Sequence, residues 1–352
     1  MAAETITQLQ WATLTAAVNE IKSPNTFLKN LLWSRSEELP TETIEVSTLH
    51  GDHVAAPFVK RDGKSIMVAG RTKTWENITG PNIRISRPLK GDDLLFGRYP
   101  ATSIFADAAT ISAAIDKKIA DEMAVLADMV AEREEWMCAM ALRNTLSYST
   151  DDAAFDITFN RDATLDTALG STVGWDDSGS HPWRDFRAAK KLISKFSRLG
   201  CDTLILGETA AQAFVEHAEV KAQIDTTSGI NAGNVTLQNQ FSDDGAILIG
   251  RFSGINVWEY TGVVNTPESG DVALIRTDYA EFVSTSPAAD RIMYYAAIPD
   301  LDALEGKLFV GKRFAKSWRE SDPSAQMALI HSRPFPVPRR PNAAMSLKVT
   351  NT

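Results

Sequence analysis

The feature that most constrains this chain is a run of 32 residues, 111–142, with no glycine or proline. Within it Ile115, Ile119, Met123, Leu126, Val130, Met137 and Met140 recur at spacings of three, four or seven. That period draws one apolar stripe along a helix. At 1.5 Å per residue the rod is roughly 48 Å long, about three times the mean globular helix. Its other faces read as acidic, because Asp116 to Glu135 holds seven acids and three bases. A solvated helix face accounts for these acids without any acid–base chemistry.

What precedes the helix cannot fold alone. Residues 1–50 hold one apolar cluster, Phe27-Leu28 with Leu31-Leu32-Trp33, and the alternating stretch 41–46. Such an arm must rest on something else, and adjacent copies of the chain are the expected support. Residues 51–90 read as a β-hairpin, with Ala56–Val59 and Ser65–Val68 flanking the turn dipeptide Asp62-Gly63. The stretch 60–73 is basic. Lys60, Arg61, Lys64, Arg71 and Lys73 stand against Asp62 alone, five minus one, or +4.

After the long helix, Phe155–Phe159 alternates as a strand. Residues 183–199 form a helix with Phe186, Ala189, Leu192, Ile193 and Phe196 on one side. A strand at 202–206 and a helix at 208–224 complete a compact α/β unit. A polar loop over 225–245 precedes strands near 246–249, 255–260, 272–275 and 292–297, and the tail 307–349 alternates strands with a proline-rich bend at 334–338.

Composition removes several classes of function. Net charge is −9, whereas a protein that grips DNA through phosphates carries a basic face. Two cysteines, Cys138 and Cys201, exclude a disulfide framework and suit a reducing compartment. The first residues lack the basic and apolar regions of a secretion signal, and no apolar run reaches the length of a membrane span.

Signals for chemistry are weak. Gly306–Lys312 matches seven positions of a phosphate-binding loop, but Arg313 stands where Ser or Thr would hold magnesium. Its Leu-Phe-Val interior reads as a strand. His50 and His53 bracket Gly51-Asp52, but a metal would need further ligands and partners to orient them, and the segment reads as a polar turn. Cys138, beside Met137 and Met140, reads as a buried inert thiol, and so does Cys201. Gly207-Glu208-Thr209 could place an anion at a helix start, but Glu208 would repel it. No catalytic residue, cofactor site or metal site is assigned.

The order of elements is an arm, a basic hairpin, a long helix, an α/β unit and returning strands. It resembles the tailed-bacteriophage major capsid fold of the Hong Kong 97 type, and more narrowly the lambda-type major capsid protein E family. The resemblance runs from about residue 24 to 350. It is carried by Phe27–Trp33, by Thr41-Glu42 with Ile44 and Val46, and by Asp225-Thr226 with Asn231. Gly250, Gly254-Ile255, Val257 and Tyr260 add to it, as do Trp318, Asp322-Pro323 and Ser332–Pro338. Arg333 departs from the small residue usual before the first proline.

The resemblance implies an α+β fold with an N-terminal arm (1–50) and an extended loop (51–90). It implies a peripheral domain (91–185 with 306–352) built on the spine helix 111–142, and an axial domain (186–305). It implies pentamers and hexamers forming an icosahedral shell around double-stranded DNA, assembled in the host cytoplasm. Scaffolding, portal and decoration proteins are the expected partners, with no membrane. Some relatives cross-link the loop through a lysine; Lys60 and Lys64 are present, yet a lambda-like chain is not expected to do this. In such shells the extended loop lies over a neighbour, so Lys64, Arg71 and Lys73 are expected to meet Asp121, Glu122, Asp128 and Glu132 of the next subunit. An encapsulin-like compartment shell, an α/β enzyme and a tail component are the competing readings.

Overall fold

A computed structural model describes residues 11–21, 26–50, 72–90, 108–150, 154–169, 174–227, 235–241, 245–268, 270–300, 309–321 and 324–350. The proposed hairpin strands 56–59 and 65–68, with Lys64 and Arg71, lie outside these residues. Lys73 lies in a described strand, but its side chain does not belong to the described part.

The long helix, α3, runs Ala108–Leu142, 35 residues, or about 52 Å. The chain begins with α1 (Trp11–Glu20), α2 (Phe27–Leu32) and β1 (Arg35–Glu38). The expectation that the arm finds no support in its own chain is corrected here. Leu14 and Val18 of α1 join Ile119, Met123, Leu126, Ala127 and Val130 of α3 in one apolar cluster. The Thr15 hydroxyl donates to Ala315 O at 3.2 Å and accepts from Ala315 N at 3.0 Å. Phe27, Leu28 and Leu32 of α2 pack into a second cluster with Met137, Cys138 and Ala141. The arm has too few apolar residues to fold alone, but the length of α3 gives it a surface.

β2 (Thr43–His50) and β3 (Thr72–Thr79) pair antiparallel, with Thr43 opposite Thr79 and His50 opposite Thr72. The alternating stretch read as arm is therefore one leg of the hairpin. β4 (Ile83–Lys90) joins β17 (Ser324–Ser332) and β16 (Phe314–Ser321) in a three-stranded sheet against α3. β5 (Thr145–Ser149) and β6 (Ala154–Thr158) form a hairpin beyond the end of α3.

The remaining elements are β7 (Asp166–Ala168), α4 (Pro182–Ser197), β8 (Thr203–Leu206), α5 (Glu208–Glu216), α6 (Ala218–Thr227), β9 (Val235–Phe241), β10 (Ala246–Phe252), β11 (Ile255–Tyr260), β12 (Val263–Thr266), β13 (Gly270–Ala273), β14 (Tyr279–Val283), β15 (Arg291–Tyr295), β18 (Pro334–Pro338) and β19 (Ala344–Lys348). A seven-stranded mixed sheet has the order β7-β19-β14-β8-β11-β10-β9. Its core stacks Trp175, Phe186, Phe214, Phe252 and Phe282.

Four expectations fail for physical reasons. The single helix 208–224 is two, because His217 adopts an extended backbone (φ −61°, ψ 132°) and its Nδ1 accepts from Glu219 N at 3.2 Å, capping α6. The loop 225–245 contains β9, whose polar residues sit on an edge strand. The proline-rich bend is the buried strand β18, paired with β15. Pro334, Pro336 and Pro338 alternate, so all three missing N–H groups lie along the same side. β18 is the edge of the sheet β1-β15-β18, where that side needs no partner. Finally, the 306–312 strand reduces, among described residues, to one bridge between Phe309 and Ile298.

Candidate assembly surface and arm junction

Two carboxylates counted as solvated are the most buried charges on α3. Glu134 and Glu135 are both 0% exposed. Glu134 follows Val130 by four residues and precedes Met137 by three, so it occupies a stripe position. An acid at that position was the available sequence signal. Glu135 Oε1 accepts from Leu28 N at 2.5 Å and from the Tyr260 hydroxyl at 3.2 Å. Its Oε2 accepts from Lys29 N at 2.9 Å. The first-turn N–H groups of α2 have no partner within their own helix, and Thr26 supplies no side-chain cap. Glu135 is thus the cap of α2, delivered from another element. Glu134 Oε2 lies 2.5 Å from Lys29 Nζ and 3.5 Å from Arg313 Nη2. Burial pushes the Glu135 carboxyl up to about 7, against the opposing pull of the two amides, Tyr260 and Lys29.

The opposite side of α3 faces outward. Asp121, Val125, Asp128, Met129 and Glu132 follow one another at helical spacing and share a face. Val125 is 43% and Met129 51% exposed, large values for apolar side chains. Asp128 Oδ1 is buried without a partner. Glu122 is different, because it sits 3.0 Å from Arg87 on β4 of the same chain. Beside this face lies a groove of ≈ 1000 Å³ whose lining includes Ile83, Met129, Glu132, Trp136 and Tyr148. Arg133 closes one wall, stacked over Trp136 and Tyr148 and 3.3 Å from Glu268.

Nothing described forms a catalytic arrangement. Ser180 and His217 mimic a nucleophile–base pair, with Oγ 3.0 Å from Nε2. But His217 Nδ1 accepts from Glu219 N, so the ring proton is on Nε2 and donates to Ser180. The Ser180 hydroxyl in turn donates to Asp177 O at 2.9 Å. The histidine cannot take that proton. At the start of α5, Ala210 N already donates to Thr277 O at 2.9 Å, which fills the anion position considered at Gly207. Gly207 is needed there for close approach, since a Cβ would lie 2.2 Å from Arg276 O. Among the described residues no group of three His, Cys, Asp or Glu could hold a metal. Cys138 and Cys201 are buried free thiols. Burial raises both, Cys201 to about 12. Neither is expected to react with iodoacetamide in the native protein at about pH 8; rapid labelling on mass spectrometry before unfolding would contradict their burial.

Comparison with known proteins agrees with this architecture. The family model described as phage major capsid protein E matches residues 10–349. No curated protein matches the chain. A crystal structure described as a capsid protein of a prophage of E. coli CFT073 superposes with TM-score 0.69 at 14% identity, over 97% of this chain and 99% of that one. A phage-related protein from Bordetella bronchiseptica RB50 gives TM-score 0.52 at 11% identity, over 97% of each chain. The mixed α+β architecture shared with these structures is the Hong Kong 97-type capsid fold. The chain belongs to the phage major capsid protein E family and is a major capsid protein of the virion shell.

Proposed function

We propose that this chain assembles with copies of itself, as pentamers and hexamers, into an icosahedral shell around double-stranded DNA. The arm, expected over 1–50, and the extended loop, expected over 51–90, divide nearer Thr43, since β2 pairs with β3. Residues 91–185 with 306–352 make the peripheral domain, and 186–305 the axial domain. Rings of this kind need different, complementary patches on one subunit. The observation that carries the reading is the outward face of α3, where acids alternate with exposed Val125 and Met129, against a segment 60–73 of charge +4.

In this reading Lys64, Arg71 and Lys73 of one copy meet Asp121, Asp128 and Glu132 of the next. Glu122 contributes less, since Arg87 already faces it. Each exposed ion pair contributes only about 0–1 kcal/mol. Specificity therefore comes from repetition and from apolar contact beneath the charges. The triple variant Lys64→Glu, Arg71→Glu, Lys73→Glu should keep the monomer's circular dichroism and melting temperature while losing shells in negative-stain micrographs. Normal shells from this variant would reject the contact.

With a net charge of −9 the subunit is suited to enclosing DNA without gripping it or reading its sequence. Scaffolding, portal and decoration proteins join the shell, which forms in the host cytoplasm. No helix among the described residues is long and apolar enough to cross a membrane. The subunit acts without catalysis or cofactor. An encapsulin-like shell is the second reading, and nucleic acid rather than one cargo enzyme inside purified particles separates the two.

A further inference from the structure

The arm, the end of α3 and the closing segment meet at a cavity of ≈ 10 Å³, on the scale of one water-sized occupant. Trp33, Asn144, Arg161, Arg291 and Arg340 are among its lining residues, and no carboxylate is. Arg291 is 7% exposed and donates only to carbonyls, Ser284 O at 2.6 Å and Ala343 O at 3.3 Å. Among the described residues it meets no carboxylate at ion-pair distance. Burial pulls its guanidinium down to about 10.

Arg161, also 7% exposed, donates to Leu142 O at 3.1 Å and Ser346 Oγ at 2.9 Å. Asp166 stands 3.7 Å away, 44% exposed at its side chain. Arg161 Nε has no partner, nor does Nε1 of Trp33, which is 1% exposed. Glu281, reached through the Ser346 hydroxyl, and Asp166 offset the Arg161 charge. Arg291 has only the more distant pull of Asp202. A buried positive charge without a contacting counter-ion is costly, and each unpartnered buried N–H adds to that cost.

We propose that this cavity binds one small monatomic anion of the size of chloride, held by Trp33 Nε1–H and the guanidinium groups of Arg161 and Arg291. A water could accept from both free N–H groups. It would also bring two hydrogens needing acceptors, and it would leave Arg291 without a contacting negative charge. A halide accepts only, and supplies the charge that no lining side chain does. Because its donors come from the arm, from the segment after β6 and from β15, the ion ties three separate parts of the chain at one joint.

The test is thermal unfolding of the full chain at constant ionic strength, with sodium gluconate exchanged for sodium chloride. Gluconate is too large for the cavity. The melting temperature should rise by about 2–4 °C from about 1 mM to about 300 mM chloride. Trp33→Phe keeps the ring and removes the N–H, so its response should be flat or much reduced. Arg161→Lys, which keeps the charge and drops Nε–H, serves if the first variant does not fold. Crystals soaked in sodium bromide should show an anomalous peak among Trp33, Arg161 and Arg291. No bromide peak, or the same chloride slope in the wild type and a folded variant, means that water fills the cavity, and overturns the proposal.

Discussion

Glu135→Ala should lower the unfolding free energy by about 3–5 kcal/mol at about pH 5, and by clearly less at about pH 8. Alanine leaves Leu28 N, Lys29 N and the Tyr260 hydroxyl without their acceptor in a site that water does not reach. The pH dependence follows from the carboxyl itself. Its value is about 7 in the fold against 4.5 ordinarily, so the folded state binds the proton more tightly. Stability from this group is therefore complete below about pH 4.5 and is lost as pH rises through about 7. The full loss is about 3 kcal/mol. Above that range the wild type already carries a desolvated charge, which alanine removes.

Glu135→Gln should abolish that slope while keeping one acceptor oxygen for the α2 amides. Denaturant unfolding at both pH values measures the first effect. Trypsin cleavage after Lys29 in the native protein reports the second, local one, since the arm is what the carboxylate holds. Equal costs at the two pH values, with no gain in cleavage, would mean that Glu135 is not the cap of α2.

Much of the fold was legible because long-range order here follows local pattern. Thirty-two residues without a breaker could only be a long helix, and the α/β unit announced itself through the Phe186–Ile193 face and the apolar run at β8. The failures share a cause: each is a residue whose role is set by a distant partner. Glu134 and Glu135 look like surface acids until Lys29, Arg313 and two backbone amides arrive from elsewhere. The prolines of β18 argue for a bend unless the strand is known to lie at an edge. His217 breaks a helix whose composition would run through it, by capping the next one. The outward acids of α3 were legible as charges. What sequence could not supply was that Val125 and Met129 lie exposed among them, or that Glu122 is already faced by Arg87.

Phe186→Ala should cost about 3–5 kcal/mol and leave the seven-stranded sheet with α4 and α5 the first part of the subunit to open. Phe186 is 1% exposed and sits at the centre of an aromatic cluster. Its ring centroid lies 5.5 Å from Phe214 in a stacked pair and 5.3 Å from Phe282 edge-on. Trp183 and Trp175 lie 5.7 and 6.2 Å away. These neighbours come from α4 itself, α5, β14 and the segment before α4, so one ring joins both helices to the large sheet. Removing it deletes apolar burial and leaves a cavity that rigid aromatic walls cannot collapse to fill. It also breaks offset and edge-on pairs that add about 0.5–1.5 kcal/mol beyond area. Phe196→Ala, at the next-to-last residue of the same helix and only half-buried, is the control and should cost about 1 kcal/mol or less. Phe186→Leu should recover part of the loss. Shell formation supplies the functional readout: because assembly draws on folded subunits, Phe186→Ala should assemble in the cold and fail at temperatures where the wild type succeeds. If Phe186→Ala and Phe196→Ala melt alike, the cluster is not the element that holds the two helices to the sheet.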